Sequence, residues 1–95
     1  MNSTVQFPQI ALRIISEQGL ILGPIAWKEA SKVNGLKIDE SHTSVSLNGD
    51  AKDIINHLVS QYANAFGKVS NEVCKEAVRD LIAELPDEDV PSSLR

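Results

Sequence analysis

Cysteine is nearly missing from this chain, and with it most of the arrangements a reactive centre needs. The lone Cys74 allows no disulfide within the chain. A single thiol on an apolar helical stripe is by default buried and inert, which fits a reducing compartment. Histidine is almost as scarce, with only His42 and His57. Zinc takes three or four Cys, His or carboxylate ligands at workable spacing, and neither Cys74 nor His42 is placed to join His57. His42 beside Asp39 and Glu40 reads as a solvated polar loop. No Gly-x-Ser-x-Gly elbow offers a serine nucleophile, and Gly19 and Gly23 are separated by aliphatics, with no Lys-Ser or Lys-Thr after them to cradle phosphate.

Basic charge is short as well. Nine Lys and Arg face thirteen Asp and Glu, a net charge of −4, and the excess of acid lies in residues 49–95. A phosphate backbone is bound by clustered Lys and Arg, and no such stripe exists, so no nucleic acid is expected as partner. Aliphatic runs are no longer than Leu20-Ile21-Leu22, far below the roughly 20 residues of a membrane span. The N-terminus has neither the basic nor the apolar stretch of a secretory signal. These absences lead us to expect a cytoplasmic protein with no membrane contact, no metal, no cofactor and no enzymatic activity.

What the chain does have is helical periodicity. Ile54, Ile55, Leu58, Val59, Tyr62, Ala65 and Phe66 recur at intervals of three and four, the spacing of one helix face. Asp50 is a good N-cap with Asp53 in the first turn, and Gly67 suits the C′ position. Ser70 is the expected cap of a second helix, with Glu72 in its first turn and a stripe through Val73, Cys74, Ala77, Val78, Leu81, Ile82 and Leu85, ended by Pro86. So short a connection makes these helices antiparallel neighbours. In the first half, Pro8 opens a helix with Ile10, Ala11, Ile14 and Ile15 on one face, ending at Gly19. Leu20-Ile21-Leu22 form an apolar bridge, and Pro24 sits at N1 of a short helix from Ile25 to Val33. Asn34-Gly35 close that helix. Leu36/Ile38 and Val45/Leu47 alternate around a polar centre, the pattern of a small β-hairpin or else of a solvated crossover loop. Residues 1–7 and the acidic stretch 87–95 read as flexible ends.

Sliding the chain by 44 residues lays the first half on the second: Ile10 on Ile54, Ile14 on Leu58, Ile15 on Val59, Gly23 on Gly67, Ile25 on Val69 and Ala30 on Cys74. Two amphipathic helix pairs with a glycine turn share part of this pattern whether or not one arose from the other. The expected fold is a mainly α, single helical domain over residues 1–95. It is a four-helix arrangement of two antiparallel helix hairpins, with a possible β-hairpin in the crossover 36–48.

Leu22-Gly23-Pro24-Ile25-Ala26 resembles the Gly-Pro-Ile/Met-Ala turn of a small uncharacterised helical module found in cyanobacterial and other bacterial signalling chains, including segments attached to serine/threonine kinases. Phe66-Gly67-Lys68-Val69-Ser70, followed by Cys74-Lys75-Glu76-Ala77, is similar to a second version of that turn, with Lys68 and Ser70 departing from its Pro and Ala. The resemblance implies a signalling or interaction module and carries over no catalytic residue.

Trp27 lies at the margin of its helix's apolar face, where a large aromatic either seals a core edge or anchors a partner. Leu20, Ile21 and Leu22 equally need cover. These four are the candidate interface residues. The expected function is a non-catalytic protein-protein interaction or dimerisation module, with a homodimer or a larger signalling protein as partner. The alternative is a small-ligand-binding domain or enzyme with a pocket between the hairpins, drawing on His57, Tyr62 or Cys74.

Overall fold

In the structure, a computed structural model, residues 6–95 are described. They form five α-helices and one two-stranded antiparallel sheet. The order is α1 (Phe7–Leu22), α2 (Ile25–Ala30), β1 (Leu36–Ile38), β2 (Val45–Leu47), α3 (Ala51–Phe66), α4 (Val69–Ala77) and α5 (Arg79–Ile82), followed by 3₁₀ turns at Asp87–Asp89 and Ser92–Leu94.

The first correction falls at Gly19, which does not end α1. The helix runs through it and takes in Leu20-Ile21-Leu22 as its last turn, so the expected apolar bridge is helical. Glycine inside a helix costs only about 1 kcal/mol relative to alanine, and the next glycine is the better stop: Gly23 has φ of +72°, and its N–H donates to the Gly19 carbonyl at 2.9 Å. α2 is shorter than expected. It closes at Ala30, where the Ser31 hydroxyl turns back to the Lys28 carbonyl at 2.7 Å.

The crossover is the expected hairpin, paired Leu36 with Leu47, Lys37 with Ser46 and Ile38 with Val45. Period-two alternation turns Leu36, Ile38, Val45 and Leu47 toward the core and leaves Lys37 and Ser46 exposed. β2 packs on α1, which supplies the support a two-stranded ribbon lacks alone. Gly35 enters the hairpin at φ +88°, where an added Cβ would stand 2.8 Å from the Asn48 carbonyl oxygen.

α3 begins as expected, with the Asp50 carboxylate accepting from the Asp53 N–H at 3.1 Å. The following helix differs twice from expectation. It starts at Val69, with Lys68 in the cap position, so Ser70 lies buried inside the first turn and caps nothing. It also breaks at Val78, whose φ of −120° interrupts the helix between α4 and α5. At this break Arg13 of α1 donates to the Ala77 carbonyl at 3.1 Å and pairs with Asp80 at 3.1 Å, supplying a donor at a helix end. A fifth helix therefore stands where a fourth was expected to continue.

The stretch 87–95 folds back instead of trailing free. Val90, Pro91 and Leu94 are buried, and the second 3₁₀ turn lies on α3 and α4. Asn56 of α3 accepts from the Ser93 N–H at 3.0 Å and from its hydroxyl at 2.6 Å, while Lys52 donates to the Glu88 carbonyl at 2.8 Å. Of the expected flexible N-terminal segment, residues 1–5 lie outside the described residues, and Phe7 already belongs to α1.

The 44-residue offset reappears in the coordinates. It separates Phe7 from Ala51, Leu22 from Phe66, Gly23 from Gly67 and Ile25 from Val69, so each 16-residue helix, its glycine stop and the start of the next helix recur in step. Burial follows it too: Ala11 matches Ile55, Gln18 matches Tyr62, Ala26 matches Ser70 and Val33 matches Ala77, each pair buried. Gln18 and Tyr62 make reciprocal bonds. Gln18 Nε2 donates to the Ser70 carbonyl at 3.2 Å, and Tyr62 Oη donates to the Ala26 carbonyl at 2.7 Å. Each long helix thus reaches the first turn of the short helix from the opposite half, through side chains 44 positions apart.

Candidate functional site

Those two bonds bring the end of α1 beside the start of α4, and the end of α3 beside the start of α2. Both glycine turns therefore lie at one end of the molecule. The large hydrophobic side chains exposed among the described residues are found there: Leu20 is 81% exposed, Ile21 64%, Ile25 42% and Val69 70%.

Of the four sequence-derived candidates, Leu20 and Ile21 stand open on the last turn of α1. Leu22 is half-buried against the core, and Trp27 is half-buried between core and solvent. Trp27 and Leu20 share a groove of about 480 Å³ with Ser16, Gly19, Gly23, Pro24 and His42. Gly19 forms part of the groove wall, and a Cβ added there would stand 3.4 Å from the Trp27 indole nitrogen. Ile21 lies elsewhere, one helical turn beyond Glu17, which lines the cleft between α1 and α4 with Val73. Val69 stands one turn before Val73, so Ile21 and Val69 continue that cleft to the turn end.

His42 is the residue that sequence reasoning missed. Its ring stacks on the Trp27 indole with centroids 4.2 Å apart and planes 9° from parallel. The hairpin tip is built to hold it there. One oxygen of the Asp39 carboxylate accepts the N–H groups of Thr43 at 2.9 Å and Ser44 at 2.8 Å, and the other accepts the hydroxyls of Ser41 and Thr43. The His42 N–H donates to the Asp39 carbonyl at 3.0 Å, and His42 sits at φ +59°, a conformation that non-glycine residues seldom adopt. The Ser41 hydroxyl, with the Ser44 and Thr43 groups, holds the Asp39 carboxyl well below the usual carboxylate range. Ile25 and Val69 were also missed as surface residues. The signal was present, since each follows a glycine turn at the same place in the offset.

The residues that a ligand site between the helix pairs would draw on are engaged elsewhere. Tyr62 is fully buried, its hydroxyl given to Ala26, and burial raises its phenol pKa. Cys74 is fully buried, its sulfur accepts from Gln18 Nε2 at 3.3 Å, and burial pushes the thiol up. His57 lines polar clefts with Asp50 and Asp53 on one side and Lys32 and Gln61 on the other, apart from the groove that holds His42. Glu29 joins α2 to α3. It accepts from Lys32 Nζ at 3.0 Å and Gln61 Nε2 at 2.7 Å, and these bonds lower its carboxyl pKa. Among the described residues no helix is long and apolar enough to cross a membrane.

No protein-family model, curated protein or solved structure matches the chain.

Proposed function

We propose that the chain is a non-catalytic protein-interaction module in a bacterial signalling or regulatory system, and that its glycine-turn end is the binding face. The fold behind this reading is a pair of antiparallel helix hairpins, α1–α2 and α3–α4, facing each other as two versions of one unit. The second unit is extended by α5 and the returning tail.

One observation carries the proposal. Leu20, Ile21, Ile25 and Val69 are drawn from three helices yet lie at a single end, Leu20 in the groove that Trp27 lines and Ile21 and Val69 on the continuation of the cleft between α1 and α4. Scattered exposed aliphatics need no explanation, but four gathered at one end of the molecule do. Tryptophan in a partly open groove is also the side chain most often found carrying binding energy at interfaces. The resemblance of both glycine turns to a signalling module points the same way.

The test is a photo-cross-linking amino acid placed at Leu20 in the full chain within its native cell, against the same substitution at Ser46 on the outer face of β2. A discrete protein adduct at position 20 that is absent at position 46 is the expected result. Equal labelling at both positions, or none at position 20, refutes the reading.

A further inference from the structure

We infer that Asn48-Gly49, between β2 and α3, is a site of spontaneous modification, at which the Asn48 amide is lost as ammonia and a carboxylate takes its place. The other Asn-Gly pair of the described residues, Asn34-Gly35, is protected by the fold. This goes beyond the proposed function and does not depend on it.

Asparagine is a thermolabile side chain, and a following glycine exposes its weakness. The glycine backbone nitrogen attacks the asparagine side-chain carbonyl carbon. The new N–C bond closes a five-membered succinimide, and the bond to the amide nitrogen breaks. That nitrogen leaves as ammonia, taking up the proton given up by the glycine nitrogen. Water then opens the ring at either carbonyl, giving aspartate or an isoaspartate whose chain runs through the side chain. No oxidant or reductant takes part. Glycine puts no Cβ in the path of the attack. What the reaction asks of the structure is backbone freedom at the pair, because the ring cannot close in a turn that is locked.

The two pairs lie side by side at the base of the hairpin, yet they differ in that freedom. Asn34 and Gly35 are the centre of a turn closed by the Leu36 N–H, which donates to the Val33 carbonyl at 3.2 Å. The Gly35 carbonyl accepts the Asn48 N–H at 2.7 Å. Gly35 is so closely packed that an added Cβ would stand 2.8 Å from the Asn48 carbonyl oxygen and 3.0 Å from Ile54 Cδ1. Rotation at this pair would break the entry to β1. Asn48-Gly49 instead follow the last residue of β2 and precede the Asp50 cap of α3. Both are exposed. Among the described residues no backbone hydrogen bond engages the Gly49 N–H or carbonyl, and a Cβ added to Gly49 would meet nothing nearer than Ile54 Cδ1 at 3.6 Å. Asn48 also lines the open cleft with Lys37, Asp50, Asp53 and His57. Water therefore reaches the ring, and the product sets a third carboxylate beside the two aspartates at the start of α3.

Peptide mapping of the full chain, aged in mildly alkaline buffer at physiological temperature and compared with an unaged sample, tests this. Trypsin cuts after Lys32, Lys37 and Lys52, so residues 33–37 and 38–52 leave as separate peptides with one Asn-Gly pair each. The expected result is that acid replaces amide in peptide 38–52, which splits into aspartate and isoaspartate forms, at least about fivefold faster than in peptide 33–37, the second pair reacting only through local opening. Ageing in concentrated urea should bring the two rates together. Asn48→Gln, whose longer side chain closes a ring far more slowly, should keep peptide 38–52 unchanged with unaltered circular dichroism. Equal rates at the two pairs in the folded chain overturn the inference, as does faster loss at Asn34. A folded chain that keeps both amides while the urea-aged chain loses them overturns it as well.

Discussion

At the scale of single residues, the informative side chain is Asp39, which looks in the sequence like one more loop carboxylate. Its oxygens close the hairpin tip and so fix His42 over Trp27, at the edge of the groove. The depressed folded-state pKa fixes the sign of a pH effect. A carboxyl lowered by folding contributes stability that is present above its unfolded pKa of about 3.9 and is lost as pH falls toward the folded value. Acidification below about pH 4 should therefore loosen the tip. Asp39→Ala should do the same at neutral pH, by removing the acceptor of two backbone N–H groups. Trp27, the only tryptophan, reports both, since an indole freed from a stacked imidazole changes its emission intensity. An Asp39→Ala protein whose emission matches the parent at pH 7 would show that the tip holds His42 without its carboxylate.

At the scale of elements, the parts legible in the sequence were those set by strong periodicity and by glycine. α3 with its Asp50 cap and its stop at Gly67 follows from spacing and backbone freedom, and the alternation of Leu36/Ile38 and Val45/Leu47 allows the hairpin without fixing its register. The errors share a cause. Gly19 reads as a stop by propensity, but the helix runs through it to Gly23, whose φ of +72° makes it the better stop. Val78 belongs to an unbroken apolar stripe, and nothing along the chain announces that Arg13, far away in sequence, will take the Ala77 carbonyl at a break. Asp87-Glu88-Asp89 and Pro91-Ser92-Ser93 read as an acidic, mobile tail, but the buried Val90, Pro91 and Leu94 decide its path, with the second 3₁₀ turn lying on α3 and α4. The exposed end was half legible: Leu20 and Ile21 were singled out, but their companions Ile25 and Val69 come from other helices. The tail bears a direct test. Leu94 is buried, and truncating a buried leucine to alanine costs about 2–5 kcal/mol. Leu94→Ala should therefore lower the urea midpoint clearly, toward the bottom of that range since a chain terminus can partly collapse into the space. A midpoint unchanged within error would return residues 87–95 to the status of a free end.

At the scale of the whole molecule, the question is whether the two halves fold as two units or one. Neither half encloses a core alone: the buried set runs without division from Ile10 and Ile14 through Ile55 and Leu58 to Cys74 and Leu81. Gln18 and Tyr62 tie the halves in opposite directions. A hydrogen bond of this kind contributes about 0.5–1.5 kcal/mol, and more is lost if a buried carbonyl is left without its donor. Gln18→Met and Tyr62→Phe should each destabilise by about 1 kcal/mol. The shape of the transition is the stronger test than its size. Trp27 lies in the first half and reports its unfolding by fluorescence, whereas far-ultraviolet circular dichroism counts the helices of both. If the core is single, the two probes give coincident urea curves in the parent and in both variants, shifted together to lower midpoints with an unchanged slope. Separation of the curves in Tyr62→Phe, with fluorescence lost before helicity, would mean that the halves are independent units held by a clasp, and that the continuous core is too weak to bind them on its own.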